Sequence, residues 1–278
     1  MKKTKFKVRP MVLPEKKLFL LTNGKCGGTS LHRWFFMLLD EPLMSRGFYD
    51  LTKNFSLQFA LKMMYIKRFK SEIINSNKDS DFRKFISLYR STVCEKWLPK
   101  MHGNEFKKIW VVRDPVERCL SAYLDKFVGM DVSKKFVKDV IDFFPGQDGI
   151  SFNQFIEYLE LEDNDKCNGH WRRQSYIADH VGGDIKIIRL ENFDDDVGNV
   201  LPKSSFLNFP SLPSRNVNEK FSDFAHLTRP AFKVDNNELI IFKRENGVLP
   251  PKSSFLEPGL VERIKKIYER DYELLPYT

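Results

Sequence analysis

The chain has 278 residues, 42% of them hydrophobic and 30% charged, and a formal net charge of +9. That length suits one α/β domain with insertions, the 25 phenylalanines supply apolar surface for a large core, and no apolar run approaches the roughly 18 residues that a membrane span requires. The basic surplus points to an anionic partner. Lys and Arg are nevertheless spread along the chain, with no basic block and no RNP or zinc-finger pattern, which argues against a nucleic-acid binder.

The N-terminus is basic and carries no sustained apolar segment before residues 18–22 (LFLLT), a short buried strand running into Asn23-Gly24. A helix follows, started by Thr29 or Ser30. Residues 51–100 are rich in Phe, Lys and Met and are expected to be mostly helical. Residues 108–112 (KIWVV) form a second buried strand. It leads into Arg113-Asp114 and a helix opened by Pro115, where a missing N–H costs nothing. Ser151 caps a helix over 152–161, and 168–180 (NGHWRRQSYIADH) are expected to start and form another. A third strand covers 185–190. Residues 202–257 hold most of the prolines and are expected to be loops, and the tail LVERIKKIYERDYELL is an amphipathic helix. Short apolar strands alternating with helices imply a mostly parallel sheet covered on both faces. Ligands bind such sheets beyond the C-terminal strand ends. The four cysteines, Cys26, Cys94, Cys119 and Cys167, make no CxxC pair, so they are expected to be free thiols and not zinc ligands.

Two motifs carry chemistry. In Asn23-Gly24-Lys25-Cys26-Gly27-Gly28-Thr29-Ser30 the glycines let successive backbone N–H groups converge on an oxyanion, and a helix N-terminus, a lysine and two hydroxyls add to the cradle. This is not the G-x-x-x-x-G-K-[ST] nucleotide loop, because Lys25 precedes the glycine pair. In Arg113-Asp114-Pro115-Val116-Glu117-Arg118-Cys119-Leu120-Ser121, a strand-end arginine suited to forked phosphate binding is followed by Ser121 about two helical turns on. Arg118 is expected to join that grip or to pair with Asp114.

Together, in order and context, these motifs resemble the 3′-phosphoadenosine 5′-phosphosulfate (PAPS) dependent sulfotransferases, in particular the carbohydrate sulfotransferases of the chondroitin and HNK-1 type and their bacterial relatives. In that family a loop of the type PK-x-(A/G)-(S/G)-T-S holds the 5′-phosphosulfate, and R-D-P-x-x-R-x-x-S holds the 3′-phosphate. The resemblance implies that Lys25 is catalytic, that Cys26, Gly27, Gly28, Thr29 and Ser30 cradle the donor, and that Arg113 and Ser121 bind its 3′ end. His170-Trp171-x-x-Gln174, Leu190-Glu191-Asn192-Phe193 before Asp196, and Tyr268-x-x-Asp271-Tyr272-Glu273-Leu274 resemble further family segments. Two positions depart from the pattern. Gly24 replaces a usual proline, and Ala178 stands where secreted relatives often have Cys.

The resemblance implies a three-layer, P-loop-like α/β fold, one domain over 1–278 with a helical insertion at 45–105 and a loop-rich region at 202–257. It implies sulfuryl transfer from PAPS to a carbohydrate hydroxyl with release of PAP and no metal. The expected partner is a glycan acceptor, and the expected location is cytoplasmic, of bacterial type, not that of a Golgi-lumenal domain. The base for the acceptor hydroxyl is His170, His102 or an unplaced carboxylate. Lys67-Arg68-Phe69-Lys70 and Arg172-Arg173 are candidates to line the acceptor groove. Two other functions fit the cradle alone: a P-loop kinase or NTPase, and a non-catalytic binder of PAP or polyanions.

Overall fold

The computed structural model describes residues 10–38, 83, 86–87, 89–129, 133–201, 220–225 and 227–277. They fall into two compact units. The first holds the described residues of Met1–Thr22, Gly27–Val112 and Ile177–Ser214, and the second those of Asn23–Cys26, Arg113–Tyr176 and Arg215–Thr278.

The first unit is built on a four-stranded sheet in the order β1 (Met11–Leu13), β2 (Leu18–Thr22), β3 (Lys107–Val112), β4 (Ile185–Arg189). The last three strands are parallel, with Leu20 opposite Ile109 and Trp110 opposite Ile187. The three strands expected from the apolar runs are therefore present, within a residue at their ends. β1 was not expected. Its three residues are too few to show a period, and it forms because the chain doubles back through Pro14–Lys16 and a left-handed Lys17 (φ 46°) to pair antiparallel with β2. Lys108 is buried within β3, and its ammonium donates to Gly103 O at 2.8 Å, which offsets part of the cost of its burial. Helix α1 (Gly28–Leu38) follows β2, and Trp34 on it packs edge-on against Phe193. The expected insertion at 45–105 lies largely outside the described residues, and its C-terminal part, Arg90–His102, is helical.

The second unit is helical: α2 (Pro115–Tyr123), α3 (Lys135–Ile141), α4 (Phe152–Leu161), α5 (Tyr176–Val181, only its first residue), α7 (Asn236–Asn246), α8 (Pro258–Ile267) and α9 (Glu269–Leu274). Helix α6 (Phe193–Val200) belongs to the first. Tyr123, Phe127, Phe152, Phe155 and Trp171 make an aromatic core in the second unit. Ser151 caps α4 with a full capping box to Gln154, as its sequence predicts.

Three expectations need correction. Residues 168–175 are turns, and the helix there is only α5. Backbone groups that a helix would use internally are bonded across the fold instead, as the site shows. The region 202–257 is not all loop, since Asp235 caps α7 through two backbone N–H groups. The tail is two helices broken at Tyr268, whose buried hydroxyl donates to Trp171 O at 2.7 Å and fixes the bend.

Candidate active site

The loop after β2 owes its shape to two left-handed residues, Lys25 and Gly27, both at φ 68°. For Gly27 the conformation is free of a Cβ penalty. For Lys25 it costs about 1–2 kcal/mol, which neighbours must offset. Arg118 Nε donates to Gly24 O at 2.9 Å, Arg113 Nη1 to Lys25 O at 3.4 Å, and Cys26 Sγ to Gln174 Oε1 at 3.1 Å. Gly24 answers a different need. A Cβ there would lie 2.8 Å from Gly169 O and 2.9 Å from His170 Cα. The absence of a side chain at Gly24 lets the loop lie against the 168–170 turn.

Gln174 is the strut of this arrangement. Fully buried, it accepts from Arg113 N at 2.9 Å and donates to Arg113 O at 2.7 Å, while also receiving the Cys26 thiol. Gln174 is held in turn. Buried Asp271 accepts from Gln174 N at 2.8 Å and Ser175 N at 2.7 Å. The two outlying motifs, His-Trp-x-x-Gln and Tyr-x-x-Asp, thus lock to each other and, through Gln174, to both Cys26 and Arg113. In the first unit the Leu190–Phe193 segment is ordered similarly, with Asp196 gripping Arg189 through its backbone N and both sides of its guanidinium.

Arg118 neither joins a phosphate grip nor pairs with Asp114. It is wholly buried and donates to Gly24 O, His170 O and Arg172 O. Asp114 caps α2 by accepting from Glu117 N at 2.8 Å. Arg172 and Arg173 are both engaged within the second unit. Arg172 donates to Cys167 O and stacks on Tyr176, and Arg173 is forked onto Asp165. Lys67 to Lys70 lie outside the described residues.

The second unit brings Lys25, Arg113 and the His170 turn together around Arg118. Arg113 is partly exposed, with Glu117 at 3.8 Å, and Glu117 also pairs with Lys252. Ser121, mostly buried, lies one turn beyond Arg118 on α2. Gly28, Thr29 and Ser30 belong to the first unit, where they open α1. Their N–H groups precede the first intrahelical bond, from Leu31 N to Gly27 O, so the helix leaves them for a ligand or solvent. Thr29 is exposed and Ser30 nearly buried.

His170 has the protonation a base requires. Its Nδ1 is 2.6 Å from Asn168 Oδ1, an acceptor that selects the Nδ1–H tautomer and leaves Nε2 with its lone pair. Burial, then the positive charge of Lys126, lower its pKa to about 4, against a smaller opposing effect of Asp125. Phe136 stacks on the ring. His102 belongs to the first unit, with Nδ1 3.2 Å from Val181 O. Sequence reasoning missed Asp125 and Lys126. They lie on a π-helical turn, Leu124–Val128, that extends α2. Asp125 Oδ2 is 3.3 Å from Lys25 Nζ and 2.7 Å from Lys126 Nζ. The only signal in the sequence was their place one turn after Ser121. All four cysteines are free and buried, and burial pushes Cys94, Cys119 and Cys167 up to about 12, which makes them inert.

The chain is similar to carbohydrate sulfotransferase 14 of mouse (Mus musculus) and of human (Homo sapiens), at 33% and 32% identity over 76 residues. Each match takes in 24% of this chain and only 20% of the relative's length. No solved structure matches. A family model described as the sulfotransferase family matches residues 9–278, which take in both donor-type motifs, the Gln174 strut and the Asp271 lock: the chain belongs to the sulfotransferase family.

Proposed function

We propose that this sulfotransferase takes its sulfuryl group from PAPS and passes it to a hydroxyl of a carbohydrate, releasing PAP, and that residues 1–278 work as one catalytic domain. The observation that carries this is the hydrogen bond from Arg113 to the Lys25 carbonyl, which joins two basic motifs 88 residues apart. A donor with phosphate at both ends suits such a pairing. Arg118 and Arg172 strengthen the fit, since both are buried among carbonyl oxygens and, among the described residues, neither is paired with a carboxylate. The positive potential they add favours an anion.

In this reading Lys25, Thr29, Ser30 and the backbone of Cys26–Gly28 hold the phosphosulfate, and Arg113 and Ser121 the 3′-phosphate. Transfer breaks the sulfur–oxygen bond to the donor phosphate and forms one to the acceptor oxygen. Lys25 stabilises the negative charge that grows on the leaving oxygen, so the chemistry calls for no metal. The acceptor's proton goes to Nε2 of neutral His170. The carbohydrate acceptor is supported by the names of the two relatives, and the charge of +9 favours an anionic glycan. Four free thiols suit a reducing compartment, and we place the enzyme in the cytoplasm.

Incubation with sulfur-labelled PAPS and a panel of glycans, lipid-linked saccharides and phenols tests the proposal. The expected result is PAP release coupled to labelling of a saccharide. Hydrolysis of Mg-ATP without PAP binding would establish a nucleotide triphosphatase instead, and PAP binding without transfer to any acceptor would establish a binding protein.

A further inference from the structure

A partly buried ammonium is stabilised by a counter-ion, and a lysine that grips a polyanion must exchange one counter-ion for another in each cycle. Lys25 has such a partner. The same Asp125 oxygen that lies 3.3 Å from its Nζ lies 2.7 Å from Lys126 Nζ. The three side chains are 19%, 30% and 11% exposed, so salt screens this cluster less than a surface pair. Burial would raise the Asp125 carboxyl, but the Lys126 hydrogen bond and the charges of Lys25 and Lys126 outweigh it and hold the group below the usual range. The carboxylate is therefore charged whenever the enzyme works. A donor anion at Lys25 Nζ competes with it for that cation.

We propose that Asp125 is a positioning residue, the resting counter-ion of Lys25, which yields the lysine to the donor and takes it back as PAP leaves, with Lys126 anchoring the carboxylate throughout. The proposal rests on the PAPS reading above. It separates the two lysines by role: Lys126 stays with Asp125, and Lys25 alternates.

The test compares PAP affinity by calorimetry and PAP dissociation by stopped-flow displacement in wild type, Asp125→Asn, Asp125→Glu and Lys126→Met. A partly exposed ion pair accounts for up to about fivefold in an equilibrium constant. Asp125→Asn is expected to bind PAP tighter by up to that factor and to release it more slowly. Its steady-state turnover is expected to fall while its single-turnover rate holds. Asp125→Glu is expected to restore wild-type affinity. Lys126→Met, which leaves Asp125 to Lys25 alone, is expected to weaken PAP binding, and it carries the test if Asp125→Asn does not fold. A merely structural Asp125 predicts the opposite sign, weaker PAP binding in Asp125→Asn. That result, or unchanged affinity, overturns the inference while leaving the PAPS reading intact. Failure of wild type to bind PAP overturns both.

Discussion

Replacing Gln174 by Ala removes a side chain that is fully buried and bonded to both the N–H and the C=O of Arg113. Each lost hydrogen bond is worth about 1 kcal/mol, and a backbone group left without a partner adds to that, so the expected cost is about 3 kcal/mol of folding stability. That is a change of roughly a hundredfold in the unfolding equilibrium. Donor affinity should fall too, by about tenfold, because Cys26 and Arg113 lose their shared support and the binding loops are no longer pre-organised. Urea unfolding followed by tryptophan fluorescence measures the first effect, with Trp171 beside the strut as reporter, and PAP titration measures the second. Gln174→Met supplies the control, since it refills the volume but cannot make the bonds. Both variants should be destabilised. If Gln174→Met recovers wild-type stability, or if Gln174→Ala unfolds within about 0.5 kcal/mol of wild type with unchanged PAP affinity, the strut argument is refuted.

His170→Ala should abolish transfer, by at least about a hundredfold, yet retain PAP binding; near-normal turnover removes His170 from the chemistry. Gly24→Ala should weaken PAP binding and lower the urea midpoint, because its Cβ meets the backbone of Gly169 and His170 and neither can yield as a side chain would; wild-type behaviour would show that the turn moves freely. Acid should destabilise the protein well before carboxylates titrate. His170 at about 4 and His32 at about 3, both lowered chiefly by burial, stay neutral in the fold while the unfolded chain takes up protons near 6.5. Stability is thus full above about 6.5 and falls as pH drops towards 4, and the urea midpoint should decline across that window, less steeply in His170→Asn.

The sequence makes the local features of this fold legible and the long-range ones hardly at all. LFLLT, KIWVV and the Ser151 cap announce themselves because burial and capping act within a few residues, and each is found at its expected place. Lys25 and Arg113 stand out because glycine loops and strand-end arginines have a chemistry of their own. Arg118 was misjudged for the same reason: an arginine near a phosphate motif looks like a ligand until its burial among three carbonyls is seen. Asp125 and Lys126 carried no pattern, as a π-helical turn shifts side chains away from the spacing that periodicity detects. The 168–175 segment looked helical because its composition permits a helix; buried Asp271, 97 residues away from Gln174, takes the backbone N–H groups instead.

That last bond has a consequence for the order in which the protein is made. The carboxylate that steadies Gln174 comes from near the end of the chain, so a nascent polypeptide can complete its sheet and carry both basic loops while still lacking the group that sets them. A chain interrupted before residue 271 would carry both loops without the carboxylate that holds Gln174 beside Arg113 and Cys26.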